Sequence, residues 1–282
     1  MILIADSGST KTDWAYVRKG SEPGFFSSLG YNPNYISGPE IQEDIRKNLP
    51  EGFCTDEVSE VYFYGAGVSE LEYDFMKETL RGVFTKAETV FVAMDLLAAA
   101  RALLGDEPGF AAILGTGMNT CLYDGTKETL NIDSLGFILG DEGSGGYIGK
   151  LLLRDYARGN MPAEIYTEVK ALVGKNAEEI IEQVYTKPKP NRYCAQFCKW
   201  VGDHRHGHPY YNALMKSAFR DFFRNEVCLY PDYAKYALNC VGSVAYFYQD
   251  VLGEVAEEFG MKLGNIIKSP IDGLVKYHSR GL

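Results

Sequence analysis

The chain has 282 residues, of which 46% are apolar and 23% are charged, a composition that excludes an intrinsically disordered protein. Its 28 basic and 38 acidic side chains give a net charge of -10, which argues against general affinity for nucleic acid or for an anionic membrane. The length suits one large domain or two of ordinary size.

The N-terminus and the cysteines indicate where the protein works. The apolar run at residues 1–5 has no basic leader and is too short for a signal peptide. No stretch approaches the ~20 apolar residues that a membrane helix needs. The six cysteines form no CxxC pair, so we expect reduced thiols and a cytoplasmic protein.

Strands alternate with helices over the first 108 residues. Predicted strands cover 2–5, 13–17, 25–30, 61–64 and 90–94, and predicted helices cover 39–49, 69–83 and 96–104. The first of these helices has apolar residues at intervals of four, as one face of a helix requires. Such alternation is typical of an α/β protein.

A second unit repeats the design of the first. The predicted strand 110–114, a polar turn and the return strand 120–123 follow the order of the N-terminal hairpin. An offset of 109 places Gly117 on Gly8 and Asn119 on Thr10. We interpret this as a duplicated core with domains at 1–108 and 109–282, the alternative being chance similarity of two hairpins. Further helices are predicted over 151–158, 177–185, 193–201, 210–223 and 241–259.

Two polar turns, each directly after an apolar strand, have the composition of phosphate-binding loops. Residues 6–12 (DSGSTKT) and 115–119 (GTGMN) contain glycine, which lets a phosphate approach the backbone, together with hydroxyl donors. The carboxylate of Asp6 could hold Mg²⁺ through water. One such turn is also compatible with an ordinary hairpin, whereas two could grip a polyphosphate from opposite sides.

Asp95 stands between the predicted strand 90–94 and a helix, where the ligand sites of α/β sheets lie. A carboxylate there can accept the proton of a hydroxyl that attacks phosphorus. The alternative role for Asp95 is a helix N-cap.

Two glycine-containing stretches are further candidates. Five glycines surround an Asp-Glu pair in residues 136–146, and Gly145-Gly146 at a predicted helix start would suit a polar ligand. A capped loop-to-helix junction has the same composition. The small residues at 241–245, which open a predicted long helix, would let a flat ring lie against the backbone.

In this order, the motifs resemble the actin/hexokinase/Hsp70 ATPase superfamily over essentially the whole chain. The chain is most similar to the N-acetylglucosamine kinase branch of the BadF/BadG/BcrA/BcrD ATPase family, through GTGMN at 115–119, GDEGS at 140–144 and the closing residues 270–278. The resemblance implies two ribonuclease-H-like domains with a nucleotide cleft between them. It also implies transfer of the γ-phosphoryl of ATP to the 6-hydroxyl of an amino sugar, with N-acetylglucosamine as the expected substrate. A homodimer is a further implication.

The resemblance implies a role for individual residues as well. Asp95 would be the catalytic base and would hold sugar hydroxyls, and Asp6 would lie near Mg²⁺. The residues that would contact ATP are Asp6, Gly8, Ser9, Thr10, Lys11, Thr12, Thr116, Gly117, Gly242 and Ser243, the last two at the adenosine. The sugar would meet Asn32, Asn119, Gly136 and Asp141. Pro33-Asn34 departs from the His/Trp pattern of animal relatives.

Two other clusters have less specific patterns. His204, His206 and His208 alternate as zinc ligands on a strand would, but the intervening Arg205 and the nearby glycine and proline favour a solvated loop. Cys194 and Cys198 share a predicted helix face without the ligand pattern of relatives that carry an iron–sulfur cluster, so we expect core or interface thiols.

Two other functions are weighed against the kinase. An ATPase that energises a partner redox enzyme would need cluster cysteines and a docking face. A sugar-sensing regulator would bind its ligand without turnover and should lack a base such as Asp95.

Overall fold

A computed structural model of the protein describes residues 1–8, 11–31, 33 and 36–280. The chain forms two compact units. Unit one comprises Met1–Pro108, Asp124–Glu128 and Ser269–Leu282, and unit two comprises Gly109–Tyr123 and Thr129–Lys268. The C-terminal residues therefore pack with the N-terminal unit, whereas the sequence grouped them with the second domain.

Unit one is built on a mixed five-stranded sheet in the order β3-β2-β1-β4-β5. Its first three strands are antiparallel neighbours, and β4 and β5 continue the sheet parallel to β1. The elements that precede residue 108 are β1 Ile2–Ser7, β2 Lys11–Val17, β3 Gly24–Leu29, α1 Gly38–Asn48, β4 Glu60–Gly65, α2 Tyr73–Arg81, β5 Thr89–Met94 and α3 Asp95–Leu104.

The alternation of side chains along the strands gives this sheet two apolar faces. On β1, Leu3 joins a core cluster with residues of α1 and α2, whereas Ile2 and Ile4 join a cluster that includes residues of α3 and the C-terminal segment. Successive side chains of a strand point to opposite faces. Unit one is therefore a three-layer α/β/α structure.

Unit two contains the other elements of the described chain. They are β6 Gly109–Leu114, β7 Met118–Tyr123, β8 Glu128–Leu130, α4 Gly136–Leu139, α5 Gly145–Arg158, α6 Ala163–Val173, α7 Ala177–Thr186, α8 Pro190–Ala195, α9 Cys198–His204, α10 Pro209–Asn225, β9 Ala237–Val241, α11 Ser243–Phe247, α12 Gln249–Glu258 and β10 Lys262–Ile267. The strand β8 begins within unit one at Glu128, and the helix α13 Ile271–His278 follows β10 and packs on α3 of unit one. Among the described residues, no helix has the length and apolar composition required to cross a membrane.

The second sheet has the order β10-β9-β6-β7-β8. Its strands β6 and β7 are antiparallel, while β9 and β10 continue the sheet parallel to β6. If the strands of each unit are numbered from one to five along the chain, both sheets have the strand order 3-2-1-4-5. This shared topology confirms the predicted α/β fold and its duplication.

The registers of the two hairpins correct the predicted offset. Ser7 pairs with Thr12 in unit one, and Leu114 pairs with Met118 in unit two, so the second turn is one residue shorter. Matching these ends gives an offset of 107 before the turn and 106 after it. Gly8 therefore corresponds to Gly115, and the offset of 109 is wrong.

Two predicted helices are also corrected. The interval 241–259 is not one helix, because Val241 ends β9 and α11 and α12 are separated at Tyr248. The interval 193–201 is divided between α8 and α9. The sequence did not predict β8, β9, β10, α4, α6 or α13.

Candidate functional site

The first polar turn begins at the end of β1, where Asp6 and Ser7 are the last two strand residues. The N–H of Gly8 donates to the carbonyl of Lys11 (3.0 Å), which closes the turn. The Lys11 ammonium forms an ion pair with Asp13 (2.7 Å). Ser9 and Thr10, two of the predicted ATP contacts, lie outside the described residues.

Thr12, a predicted ATP contact, has a buried side chain. Its hydroxyl is fully buried, lies 2.8 Å from Ser7 Oγ and donates to the carbonyl of Leu29 (2.7 Å). The same Ser7 Oγ accepts the N–H of Tyr31 (3.1 Å). The Thr12 hydroxyl therefore ties β1 to the end of β3. This network lies directly before Asn32, a predicted sugar residue that is outside the described part of the chain.

Asp6 and Asp95 lie at the same edge of the first sheet. Asp6 pairs with Tyr64 of β4, and Tyr64 pairs with Ala93 of β5, which sets Asp6 level with Ala93. Asp95 follows two residues later, at the start of α3. Two strand spacings, about 10 Å, separate β1 from β5. The sheet therefore brings the two predicted carboxylates to one side of unit one.

The surroundings of Asp6 and Asp95 favour protonation of both. Burial raises the pKa of Asp6 to about 7, with repulsion from Asp95 and Asp13 adding to the rise and Lys11 opposing it. Burial likewise raises the pKa of Asp95 to about 6, against hydrogen bonds from its own N–H and that of Leu96. A carboxyl group with a pKa near 6 is suited to proton transfer near neutral pH.

Asp95 lies one residue beyond the N-cap position considered for it. Met94 is the N-cap of α3 and provides no side-chain cap, while Asp95 is the first helical residue. Its carboxylate there faces the positive end of the helix dipole, which stabilises the ionised form. The same carboxylate accepts the N–H groups of Leu96 and of Asp95 itself, so it also satisfies donors at the start of α3.

The second polar turn docks on the N-terminus of α5. Its carbonyls at Gly115 and Thr116 accept the N–H groups of Gly145 (2.8 Å) and Gly146 (3.0 Å). The first N–H groups of α5 are thus occupied, which corrects the prediction that Gly145-Gly146 would receive a polar ligand. The N–H groups of Thr116 and Gly117 have no backbone partner among the described residues.

A cavity of about 430 Å³ opens within unit two beside this turn. Its wall includes the predicted residues Thr116 and Ser243 and two aromatic side chains, Phe247 and Tyr248. The full lining is Gly115, Thr116, Gly145, Ala195, Cys198, Lys199, Asp203, Arg205, Ser243, Val244, Phe247 and Tyr248. The volume and the mixed apolar and polar lining are typical of a small-molecule site.

Gly242 fixes the approach of α11 to the second turn. Its φ of 128° and ψ of 159° are accessible essentially only to glycine. A Cβ at this position would lie 2.3 Å from the carbonyl oxygen of Leu114 and 3.2 Å from the nitrogen of Gly115. Only a glycine there allows the backbone of α11 to lie against the turn that lines the cavity.

Asp141 packs directly against the turn as well. It is 7% exposed, and its carboxylate accepts the N–H of Met118 (3.1 Å). A Cβ on Gly117 would lie 3.2 Å from both carboxylate oxygens. Because Gly117 does not have a positive φ, the close approach of Asp141 is what favours glycine at this position. Burial raises the pKa of Asp141, which the Met118 N–H and the charge of Lys150 oppose.

The other predicted sugar residues of unit two lie on β7 and at the start of α4. The side-chain oxygen of Asn119 accepts the N–H of Thr120 (3.0 Å) and the amide of Asn131 (3.0 Å), which sets the orientation of its own NH₂ group. Gly136 begins α4, and the ammonium of Lys150 holds the next carbonyl, that of Phe137 (2.9 Å).

The histidines do not converge. His204 stacks on Trp200, His206 lies 3.4 Å from Asp250, and His208 caps α10 through Tyr210. No group of three metal-binding side chains occurs in the described residues, so the zinc interpretation has no structural support.

The cysteine pair is buried. Burial raises the pKa of Cys194 to about 11 and that of Cys198 to about 12. Both therefore remain thiols at neutral pH, as expected of core residues.

Several residues of the cavity wall were missed by the sequence. Lys199 and Asp203 form an ion pair one helical turn apart on α9 (2.5 Å). The Arg205 guanidinium, which the sequence placed in a solvated loop, is held by the carbonyl of Gly202 (2.7 Å) and by Asp250 (3.0 Å). None of these residues belongs to a recognisable motif, and their proximity arises only from helix packing.

Solved structures provide the comparison that decides the family. A candidate N-acetylglucosamine kinase from Porphyromonas gingivalis is 39% identical, covers 100% of this chain and 99% of its own, and superimposes with a TM-score of 0.93. The chain belongs to the N-acetylglucosamine kinase branch of the BadF/BadG/BcrA/BcrD ATPase family.

Two more distant structures share the two-domain architecture of the actin-like ATPases. A candidate N-acetylglucosamine kinase from Chromobacterium violaceum is 16% identical with a TM-score of 0.73, and covers 98% of both chains. A ROK family glucokinase from Streptomyces griseus, solved with glucose and AMPPNP, is 14% identical with a TM-score of 0.56, and covers 98% of this chain and 97% of its own. No family model and no curated protein matches the sequence.

Proposed function

We propose that the protein is an ATP-dependent kinase that phosphorylates the 6-hydroxyl of an amino sugar, with N-acetylglucosamine as the foremost substrate. The observation that carries the proposal is the cavity of unit two, because it combines the second polar turn with the start of α11 and two aromatic rings. Kinship with a 39% identical candidate N-acetylglucosamine kinase supports the choice of sugar.

ATP is assigned to this cavity by the chemistry of its wall. The adenosine lies against Ser243 and the rings of Phe247 and Tyr248. The phosphates meet the N–H groups of Thr116 and Gly117, which point to no backbone acceptor in the described chain. Successive N–H groups in a turn form a concave anion site. Lys199 and Arg205 add positive charge to the same wall.

The residues around Asp6 fit a magnesium ion. Asp95 and Asp13 both repel a charge on Asp6, whose pKa burial and this repulsion raise to about 7, so a nearby cation would relieve the repulsion. Mg²⁺ is usually held by one or two carboxylates with water and phosphate oxygens, which suits a site without three protein ligands. Asp6 would hold it through water. When bound, Mg²⁺ neutralises charge on the β- and γ-phosphates.

Asp95 acts as the general base. Its carboxylate accepts the proton of the sugar 6-hydroxyl as that oxygen bonds to the γ-phosphorus and the bond to the ADP oxygen breaks. Asn119, Gly136 and Asp141 orient the sugar in this assignment, and orientation accounts for a large part of catalysis in phosphoryl transfer. A cytoplasmic location and a homodimeric assembly stay predictions from the sequence.

Calorimetry with a non-hydrolysable ATP analogue tests the proposal. The acceptor hydroxyl must lie next to the γ-phosphoryl, so the two bound ligands touch and their affinities are linked. We expect N-acetylglucosamine to tighten analogue binding by about 5- to 150-fold, and the analogue to tighten sugar binding by the same factor. Analogue affinity that is equal with and without each amino sugar would instead support an ATPase that energises a partner.

Gly115→Ala tests whether ATP binds in the cavity of unit two. A Cβ on Gly115 meets nothing within 4 Å, so the ligand-free protein accommodates it without loss of stability. The residue lines the cavity, and the methyl group obstructs phosphate approach to the turn. We expect an unchanged melting temperature with analogue binding weakened at least about tenfold. Unchanged analogue affinity would place ATP elsewhere.

A further inference from the structure

A buried hydrogen-bonded cluster connects β7 with residues that follow α10. It consists of Thr120, Tyr230 and Glu226, which are 0%, 2% and 4% exposed. Thr120 Oγ1 lies 2.6 Å from Glu226 Oε1 and 2.9 Å from the hydroxyl oxygen of Tyr230. That tyrosine oxygen lies 3.0 Å from the carbonyl oxygen of Thr120 and accepts the N–H of Ile132 (2.9 Å).

The protons in this cluster can be counted. Besides the Ile132 N–H bond, three short oxygen–oxygen contacts each need one proton. Thr120 and Tyr230 have one hydroxyl proton each, so an ionised Glu226 leaves one contact without a donor. A protonated Glu226 donates to Thr120, Thr120 donates to Tyr230, and Tyr230 donates to the Thr120 carbonyl. The geometry is therefore complete only with Glu226 in its acid form.

The cluster is continuous with the proposed sugar site. Thr120 follows Asn119, and its N–H donates to the side-chain oxygen of Asn119 (3.0 Å). The carbonyl of Thr120 also accepts the amide of Asn131 (2.7 Å), and the same amide donates to Asn119 Oδ1 (3.0 Å). The Asn119 amide is therefore fixed by groups that the cluster holds in place.

We propose that Glu226 is a positioning residue that, in its protonated form, orients Asn119 for the sugar through Thr120. The inference rests on the proposed function, because it assigns Asn119 to sugar binding. Ionisation of Glu226 removes one donor from the cluster and loosens the contacts that fix Asn119. Sugar affinity should therefore fall as the pH rises, while ATP affinity should change little.

The charges that face Glu226 support the protonated form at neutral pH. Burial raises the pKa of Glu226 to about 7; the Thr120 bond opposes this, and repulsion from Glu142 and Asp133 adds to it. Tyr230 faces the same cluster, and burial raises its pKa to about 12. No basic side chain is among these influences, so the acid form persists close to pH 7.

Glu226→Gln and Glu226→Ala test this proposal by calorimetry with N-acetylglucosamine at pH 6 and pH 8. A glutamine amide supplies the missing proton at any pH. The sugar affinity of Glu226→Gln should therefore not show the fall that ionisation of Glu226 causes in the wild type. From pH 6 to pH 8, the affinity for N-acetylglucosamine should fall about tenfold further in the wild type than in Glu226→Gln. The reason is that the pKa of Glu226 lies between these two pH values. Titration of Asp6 and Asp95 affects both proteins alike.

Glu226→Ala should weaken sugar binding at both pH values, with the affinity for a non-hydrolysable ATP analogue within about twofold of wild type. Matching pH profiles in wild type and Glu226→Gln would overturn the inference, and this comparison holds even where the alanine variant does not fold. A wild-type protein that binds no amino sugar at either pH would instead overturn the proposed function, and the inference with it.

Discussion

Asp95→Asn should lower kcat for sugar phosphorylation at least about 100-fold, the lower end of the usual contribution of general acid–base catalysis. An amide of the same size still accepts the N–H groups at the start of α3 but cannot take the hydroxyl proton. Affinity for a non-hydrolysable ATP analogue should be retained. Steady-state kinetics and calorimetry on the same preparation separate the two effects.

The pH dependence of kcat adds an independent check on Asp95. The raised pKa of about 6 means that the base is protonated and inactive below this value, so wild-type kcat should rise with pH through about 6. The residual activity of Asp95→Asn should lack that rise. Asp13→Asn is the matched control and should keep the rise of kcat with pH. Asp13 adds to the repulsion on Asp6 but has no proposed proton to transfer. Near-normal turnover in Asp95→Asn would contradict the assignment of the base.

Gly242→Ala should destabilise unit two by about 3 kcal/mol or more. A non-glycine residue in this backbone region costs about 1–3 kcal/mol, and the added Cβ would also lie 2.3 Å from the carbonyl oxygen of Leu114. The displaced turn should lose most of its affinity for ATP. Urea unfolding and analogue binding measure the two consequences.

Gly159→Ala is the control for the backbone term of that prediction. Gly159 has a φ of 65°, and a Cβ there meets nothing within 4 Å, so the substitution carries the cost of the left-handed conformation alone, about 1–2 kcal/mol. If Gly242→Ala is no less stable than Gly159→Ala, then α11 does not need to lie against the second turn.

Most of unit one could be predicted because its strands and helices have regular apolar patterns. The missed strands of unit two lack such patterns. In β9, Asn239 interrupts the apolar run, yet its amide donates to the carbonyl of Phe110 (3.0 Å) and its oxygen accepts the N–H of Asn265 (2.8 Å). A buried polar side chain satisfied by neighbouring strands cannot be recognised before those strands are known.

The candidate site was predicted where its chemistry is local in sequence. Asp6, Asp95 and the glycines of the second turn stand at strand ends, and a strand end is visible in the apolar pattern. Lys199 and Phe247 come from different helices, and they line one cavity only because α9 and α11 pack near the turn. The buried role of Thr12 depends on β3, whose pairing register the sequence does not specify.

ADP release measured across a panel of sugars is the most direct test of the central claim. The panel holds N-acetylglucosamine, glucosamine, N-acetylmannosamine and a blank without sugar, with Asp95→Asn assayed in parallel and the product identified by phosphorus NMR. We predict ADP release that depends on an amino sugar, matches the 6-phosphate formed mole for mole and is lost in the variant. Release at the same rate without sugar, or sugar binding with no release, would contradict a sugar kinase.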